Sequence, residues 1–308
     1  MLTRRAALSL FAGSLAVAGS FMPVAAQAQD KLKVVATFSI LGDLVRNVGG
    51  ERVEVTTFVG PNGDAHVYSP TPADGRRLTE AKIVFTNGLK FEGWIDRLVK
   101  SSGTKAVRVE ASKGAKLLKG EEDGHRHGHN HGHGVDPHAW QNIGNAKIYV
   151  TNIRDALVAA DAAGKADYEA NAAAYLAKLD ALEAEVKELV AGIPAERRRI
   201  ITSHDAFRYF GDAYGIAFVS PQGVSTEAEA SAKDVARIIQ QVKREKIAAV
   251  FVENVSDARL MERIAKETGA KIGERVYSDA LSEPNGPAGT YIDMMRHNIR
   301  AFSAALSS

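Results

Sequence analysis

The sequence of 308 residues has no cysteine. Disulfide staples are therefore excluded, and so are thiolate ligands, which leaves nitrogen and oxygen donors for any metal ion. A chain of this size can bury a core large enough to hold without disulfides, even outside the cytoplasm. Beyond the first thirty residues no apolar run is long enough to cross a bilayer as a helix. An excess of charge is missing too: Lys+Arg is 39 and Asp+Glu is 37. Residues 1–28 hold Arg4 and Arg5 and no acid, so their removal leaves 37 of each sign. The pI of 8.6 is thus no sign of a basic surface, and no nucleic-acid partner is expected. The HExxH pattern of zinc peptidases is also absent.

What is present begins with "MLTRRAALSLFAGSLAVAGSFMPVAAQAQD". A basic start, an apolar centre from Ala6 to Val24, and small residues at Ala26 and Ala28 read as a cleavable export signal over residues 1–28. The mature protein is expected in the periplasm. "TRRAAL" is close to a twin-arginine signature, with Ala7 where a bulky apolar residue is common, so both export routes stay open.

The mature chain alternates strand and helix patterns. Strands are expected at Leu32–Phe38, in "RVEVTTFV", at Ile83–Phe85 and at Ala106–Val109. The apolar spacing of Ile40, Leu41, Leu44, Val45 and Val48, stopped by Gly49-Gly50, marks a helix between the first two. A Gly- and His-rich insert over about 119–135 shows no apolar periodicity and is expected to be a mobile loop. From Lys165 the sequence "KADYEANAAAYLAKLDALEAEVKELV" has apolar positions at Tyr168, Ala172, Tyr175, Leu179, Leu182, Val186 and Leu189. That spacing predicts one helix reaching ~40 Å at ~1.5 Å per residue. Fewer than four heptads favour a helix spanning the molecule over a coiled-coil seam. Strand patterns return in "RRIITS", "AFVS", "IAAVFVE" and "AKIGERVYS", with helices at about 230–245, 257–268 and 287–305. The expected fold is α/β. It has two lobes, 29–160 and 194–308, each with a small parallel sheet flanked by helices, and one long helix within 161–193 joins them.

Nine histidines occur, and their contexts differ. His125, His127, His129, His131 and His133 alternate with other residues in the insert, while His297 lies in the final helix pattern. His66 sits in "GPNGDAHVYSPTPAD" after the second strand, His138 in "VDPHAW" behind a stiffening proline, and His204 at the end of a β-branched run. Asp279 follows the last strand pattern. Open α/β sheets bind ligands beyond the carboxyl ends of their strands, which is where His66, His204 and Asp279 fall.

The motifs "VVATFSILGDLV", "GDAHVYSPTPAD", "NGLKFEGW", "DPHAWQN", "SHDAFRYFG", "AEASAKDV" and "YSDALSEPNGPAGTYIDMMRHNI" run through nearly all of the mature chain. In kind and order they resemble the extracytoplasmic metal-binding proteins that feed ABC importers, the cluster A-I solute-binding family. Within it the zinc-type members, including the AztC proteins, are most similar. The resemblance implies four ligands at His66, His138, His204 and Asp279, in a cleft between the lobes. It also implies zinc as the transported ion, a permease in the inner membrane as partner, and no catalytic role. The third position is His in zinc-type members and Glu in many manganese-type ones; here it is His204. Ala65 stands where many members have proline.

The donor chemistry agrees with that implication. Three neutral imidazoles and one carboxylate suit tetrahedral zinc, whereas manganese prefers more oxygen. Asp64, Asp136 and Asp205 lie near ligands as candidates to orient an imidazole or to cap a turn. Glu253, in "VFVEN", is a spare acid expected to form a buried ion pair. The five insert histidines are expected to bind zinc weakly, because each binding event must order a glycine-flanked loop. They would scavenge zinc or accept it from a donor protein and pass it to the cleft; the plain alternative is a solvated spacer. A monomer is expected. The competing readings are a manganese-type member of the same family, a zinc hydrolase, and a periplasmic zinc store or adhesin. A closed four-ligand site argues against the hydrolase, which needs an open position for water.

Overall fold

A computed structural model describes residues 30–119 and 134–307. The export segment and the five insert histidines lie outside the described residues. Strands β1 (Leu32–Phe38), β2 (Val53–Val59), β3 (Ile83–Thr86) and β4 (Val107–Glu110) form one parallel sheet in the order β2-β1-β3-β4. β1 is central and buried from Val34 to Phe38, as expected of a parallel strand covered on both faces. Helices α1 (Ser39–Gly49), α2 (Pro72–Glu80) and α3 (Ile95–Ser102) link these strands. Pro72 at its first turn and a reciprocal Thr71–Asp74 capping box fix where α2 begins, and so where the loop carrying His66 ends.

The second sheet repeats the plan. β5 (Arg199–Ile201), β6 (Ala217–Val219), β7 (Ala249–Val250) and β8 (Lys271–Ile272) are parallel in the order β6-β5-β7-β8. Helices α6 (Arg208–Tyr214), α7 (Ala232–Glu245) and α8 (Ala258–Thr268) lie between them, and α9 (Tyr291–Ser307) closes the described chain. In each sheet the order reverses between the first and third strands, which places a ligand-binding crevice at their carboxyl ends.

Two sequence expectations need correction here. "IAAVFVE" and "AKIGERVYS" pair over two residues each, not along their full length. Just past β8, Gly273 still donates to the Val250 carbonyl at 2.9 Å and packs on Phe251, where a Cβ would lie 2.3 Å from a ring carbon. Pairing resumes in a Glu253–Val276 bridge, which carries Glu253 and Asp279 past the sheet edge. The other correction concerns the long helix.

After α4 (Ile143–Ala160), which is capped by Asn142, α5 runs from Lys165 to Ala191, 27 residues. Its buried stripe follows the expected positions to Val186, then takes Val190 in place of Leu189, which is only partly buried. A straight helix has 3.6 residues per turn, so a stripe spaced at 3.5 drifts and moves on one position. α5 packs against α1 and α4 from the first half and α6 and α9 from the second. Its apolar face is therefore covered by its own chain. One large core joins Val34 and Leu44 to Leu179, Phe210 and Phe302; a smaller one fills the space between the second sheet, α7 and α8.

Candidate metal centre

His66 stands in the loop after β2. Its backbone N–H donates to Asp64 Oδ1 at 2.8 Å, and the Trp94 indole N–H donates to the neighbouring Ala65 carbonyl at 2.8 Å. Its ring meets the edge of Phe91, with centroids 4.7 Å apart. His138 follows Asp136-Pro137, a segment pinned from both sides. Asn87 Nδ2 donates to the Pro137 carbonyl at 2.9 Å, and the Tyr209 hydroxyl donates to the Asp136 carbonyl at 2.7 Å. Asp136 Oδ1 lies 2.8 Å from His138 Nδ1 and also accepts the His138 backbone N–H. A carboxylate only accepts, so Nδ1 carries the proton and the Nε2 lone pair points inward.

His204, from the other sheet, is hydrogen-bonded through its backbone and faces a carboxylate with its ring. Its backbone N–H donates to Glu253 Oε1 at 2.9 Å, and its Nδ1 lies 2.5 Å from Glu253 Oε2. Asp279 follows Ser278, whose carbonyl accepts from Trp140 Nε1 at 3.0 Å and Gln141 Nε2 at 2.8 Å. The segment after His138 thus grips the residue before Asp279. Residues from both sheets lock one another.

The four side chains converge. His66 Nε2 is 3.4 Å from His138 Nε2 and 3.3 Å from Asp279 Oδ2. His204 Nε2 is 3.2 Å from Asp279 Oδ2, and His138 Nε2 is 3.5 Å from Asp279 Oδ1. Every residue of the group offers a ligand atom within 4.8 Å of the others. Bonds of ~2.0–2.1 Å in a tetrahedron give edges of ~3.3 Å, which these separations approach. His138, His204 and Asp279 are fully buried, and His66 is 7% exposed. Phe91 and Trp140 wall the group with apolar surface. Both oxygens of Asp279 and Nε2 of His204 are buried without a hydrogen-bond partner. Such groups are costly unless something else satisfies them, and a cation does so.

The electrostatics point the same way. Burial opposes a charge on His138, yet Asp279 and Asp136 outweigh it and hold its pKa up at about 9. Burial likewise works against His204, and Glu253 and Asp279 raise it well above the usual range. Burial would raise the Asp279 carboxyl, but His138 and His204 press it well below the ordinary carboxylate value. The carboxylates that favour a positive charge on these imidazoles would equally favour a cation bound between them.

The structure brings His66, His138, His204 and Asp279 together. His125, His127, His129, His131 and His133 lie outside the described residues. His297 is elsewhere, 2.8 Å from the Arg275 carbonyl on the exposed side of α9. Of the three aspartates expected to orient a ring, Asp136 faces the Nδ1 of His138. Asp64 holds the backbone of His66, and Asp205 lies 3.9 Å from Arg208. Glu253 forms its buried pair with a ligand, His204. Sequence reasoning missed Glu92, whose carboxylate accepts from Thr37 Oγ1 and from the Asn87 and Gly88 amides. It fixes a left-handed turn with φ of 82° at Gly88, 56° at Leu89 and 65° at Lys90, which presents Phe91 to the imidazoles. The Asn87-Gly88 pair was a usable turn signal.

Residues 34–305 match the profile of the zinc-uptake complex component A family, periplasmic, also called ZnuA. The chain is 39% identical over 276 residues to the manganese-binding lipoprotein MntA of Halalkalibacterium halodurans, covering 90% of this chain and 89% of that protein. It is 32% identical over 286 residues to the manganese ABC transporter substrate-binding lipoprotein PsaA of Streptococcus pneumoniae, covering 90% of each. Among solved structures, the periplasmic zinc-binding protein TroA from Treponema pallidum superposes with a TM-score of 0.82 at 29% identity. That superposition covers 90% of this chain and all of TroA.

Proposed function

The chain belongs to the ZnuA family of metal-binding, non-enzymatic solute-binding components of ABC importers, and from that membership we propose that it captures zinc through His66, His138, His204 and Asp279. One observation carries the reading: three imidazole Nε2 atoms from both sheets face a single buried carboxylate. Neutral nitrogen donors in that number suit zinc better than a harder ion. The ion would be cargo, handed to a permease in the inner membrane and carried by lobes 29–160 and 194–308. A protein at work outside the cytoplasm fits a cleaved signal over 1–28, and the mature chain would act as a periplasmic monomer. His204 at the third position and the His125–His133 run favour an AztC-like, zinc-type member, with the run accepting zinc from a donor protein.

Manganese is the second reading, and specific observations favour it. MntA and PsaA are both named for manganese. Both oxygens of Asp279 face the group, Oδ1 toward His138 and Oδ2 toward His66 and His204, so a fifth donor is at hand for an ion that takes more oxygen. Titration of the metal-stripped mature chain with zinc against manganese separates the two. Zinc held at least a hundredfold more tightly supports the first reading; equal or tighter manganese overturns it.

A further inference from the structure

An ion buried this deeply needs a way out, and the four side chains differ in one respect. His138, His204 and Asp279 are fully buried, whereas His66 retains 7% exposure. The entrance therefore lies past His66, on the loop between β2 and α2. Its neighbour Asp64 makes two hydrogen bonds with its carboxylate. Oδ1 accepts the His66 backbone N–H at 2.8 Å, and Oδ2 accepts the hydroxyl proton of Thr226 at 2.6 Å. Thr226 comes from the segment between β6 and α7, in the other half of the chain. That segment is itself tied to the backbone on each side of His204. Gln222 N–H donates to the Ser203 carbonyl at 3.4 Å, and Asp205 N–H donates to the Gly223 carbonyl at 3.2 Å. A path of hydrogen bonds and the short chain from Gly223 to Thr226 thus runs from the backbone around the third ligand, through Asp64, to the backbone of the first.

We infer that Thr226 is a positioning residue for metal retention: its hydroxyl straps the His66 loop across the mouth of the site and slows the departure of the ion. The inference rests on the four-ligand site proposed above. The loop has a second tie, Asn62 N–H to the Leu281 carbonyl at 2.9 Å, supported by Asn254 Nδ2 at 3.2 Å from Asn62 Oδ1. That tie holds the far end of the loop, four residues before His66. Thr226 acts through Asp64, two residues before it, and so governs whether His66 can swing outward. Asp64 and Thr226 are both only partly buried, so water can solvate the carboxylate once the hydroxyl is removed. Loss of the strap should then cost the fold little while it frees the loop.

The test uses the mature chain loaded with one equivalent of zinc and mixed rapidly with excess EDTA. Release is followed in wild type, Thr226→Val, Thr226→Ser and His204→Ala, alongside the thermal midpoint of each ion-free protein. Thr226→Val keeps the shape and loses the donor, so release should be roughly tenfold faster with an unchanged midpoint, as expected for one hydrogen bond to a charged group. Thr226→Ser keeps the hydroxyl and should release within about twofold of wild type. Release from Thr226→Val at the wild-type rate, or from Thr226→Ser as fast as from Thr226→Val, overturns the strap. If wild type fails to retain one zinc, or His204→Ala retains it equally well, the four-ligand site itself fails. The two failures are therefore distinct.

Discussion

At the residue scale, Asp136 and Glu253 do for His138 and His204 what no ligand does for itself. Each accepts the backbone N–H of its histidine and sets a carboxylate oxygen against that residue's Nδ1, as a hydrogen bond at His138 and as an ion-pair contact at His204. Replacing such a partner usually lowers metal affinity by about 10–100-fold. Asp136→Asn and Glu253→Gln should each fall in that range in a chelator-competition titration, with one ion still bound per chain. An unchanged affinity would mean that packing alone orients the rings. The histidines also set the pH dependence. In the ion-free fold His138 is raised to about 9, so its proton stabilises that state fully below the ordinary value near 6.5. This contribution is lost as pH rises through about 9. A cation must displace the proton, and affinity should climb about tenfold or more per unit from pH 6 to pH 8. Affinity that is flat across that interval, measured by competition at fixed ionic strength, contradicts the assigned protonation.

At the element scale, α5 shows what a sequence makes legible and where it stops. Its length and six of its seven buried positions followed from periodicity, because the apolar face of a helix is written locally. The exchange of Leu189 for Val190 was not visible, since it depends on the accumulated drift of a straight helix against neighbours that the sequence does not place. The first sheet was legible to within a residue at its ends. The second was less so: Gly273 packs on Phe251 just past the ends of β8 and β7, a contact between segments far apart in sequence that no local pattern announces. The same holds for the site. Histidines 66, 138 and 204 stood out by context, but Glu253 reaches His204 across 49 residues and Glu92 reaches Thr37 across 55. Leu179, fully buried midway along α5, provides a test of the element. Leu179→Ala should cost about 2–5 kcal/mol in denaturant unfolding while metal stoichiometry stays at one. Loss of binding in parallel with a small stability change would show that the helix acts on the site directly.

At the scale of the whole molecule, the two sheets carry the same strand order, and residues that follow strands of each contribute to one group of side chains. They are also joined by a common core, in which α5 touches helices of both halves. Wide hinge opening would expose that core, so release through movement of the His66 loop is the less costly route. The insert bearing His125–His133 belongs to this scale too, since its role would be to load the site from outside. Deleting Glu121–Gly134 should slow zinc loading from a weak chelator and lower total zinc capacity, while leaving the tight site at one ion. Unchanged loading rate and capacity would reduce the insert to a spacer. The central claim is that His66, His138, His204 and Asp279 enclose one divalent cation, and a crystal of the zinc-loaded mature chain measured at the zinc absorption edge tests it most directly. The account predicts a single strong anomalous peak within ~2.0–2.1 Å of three imidazole Nε2 atoms and an Asp279 oxygen. A peak elsewhere, or none between those four residues, would contradict it.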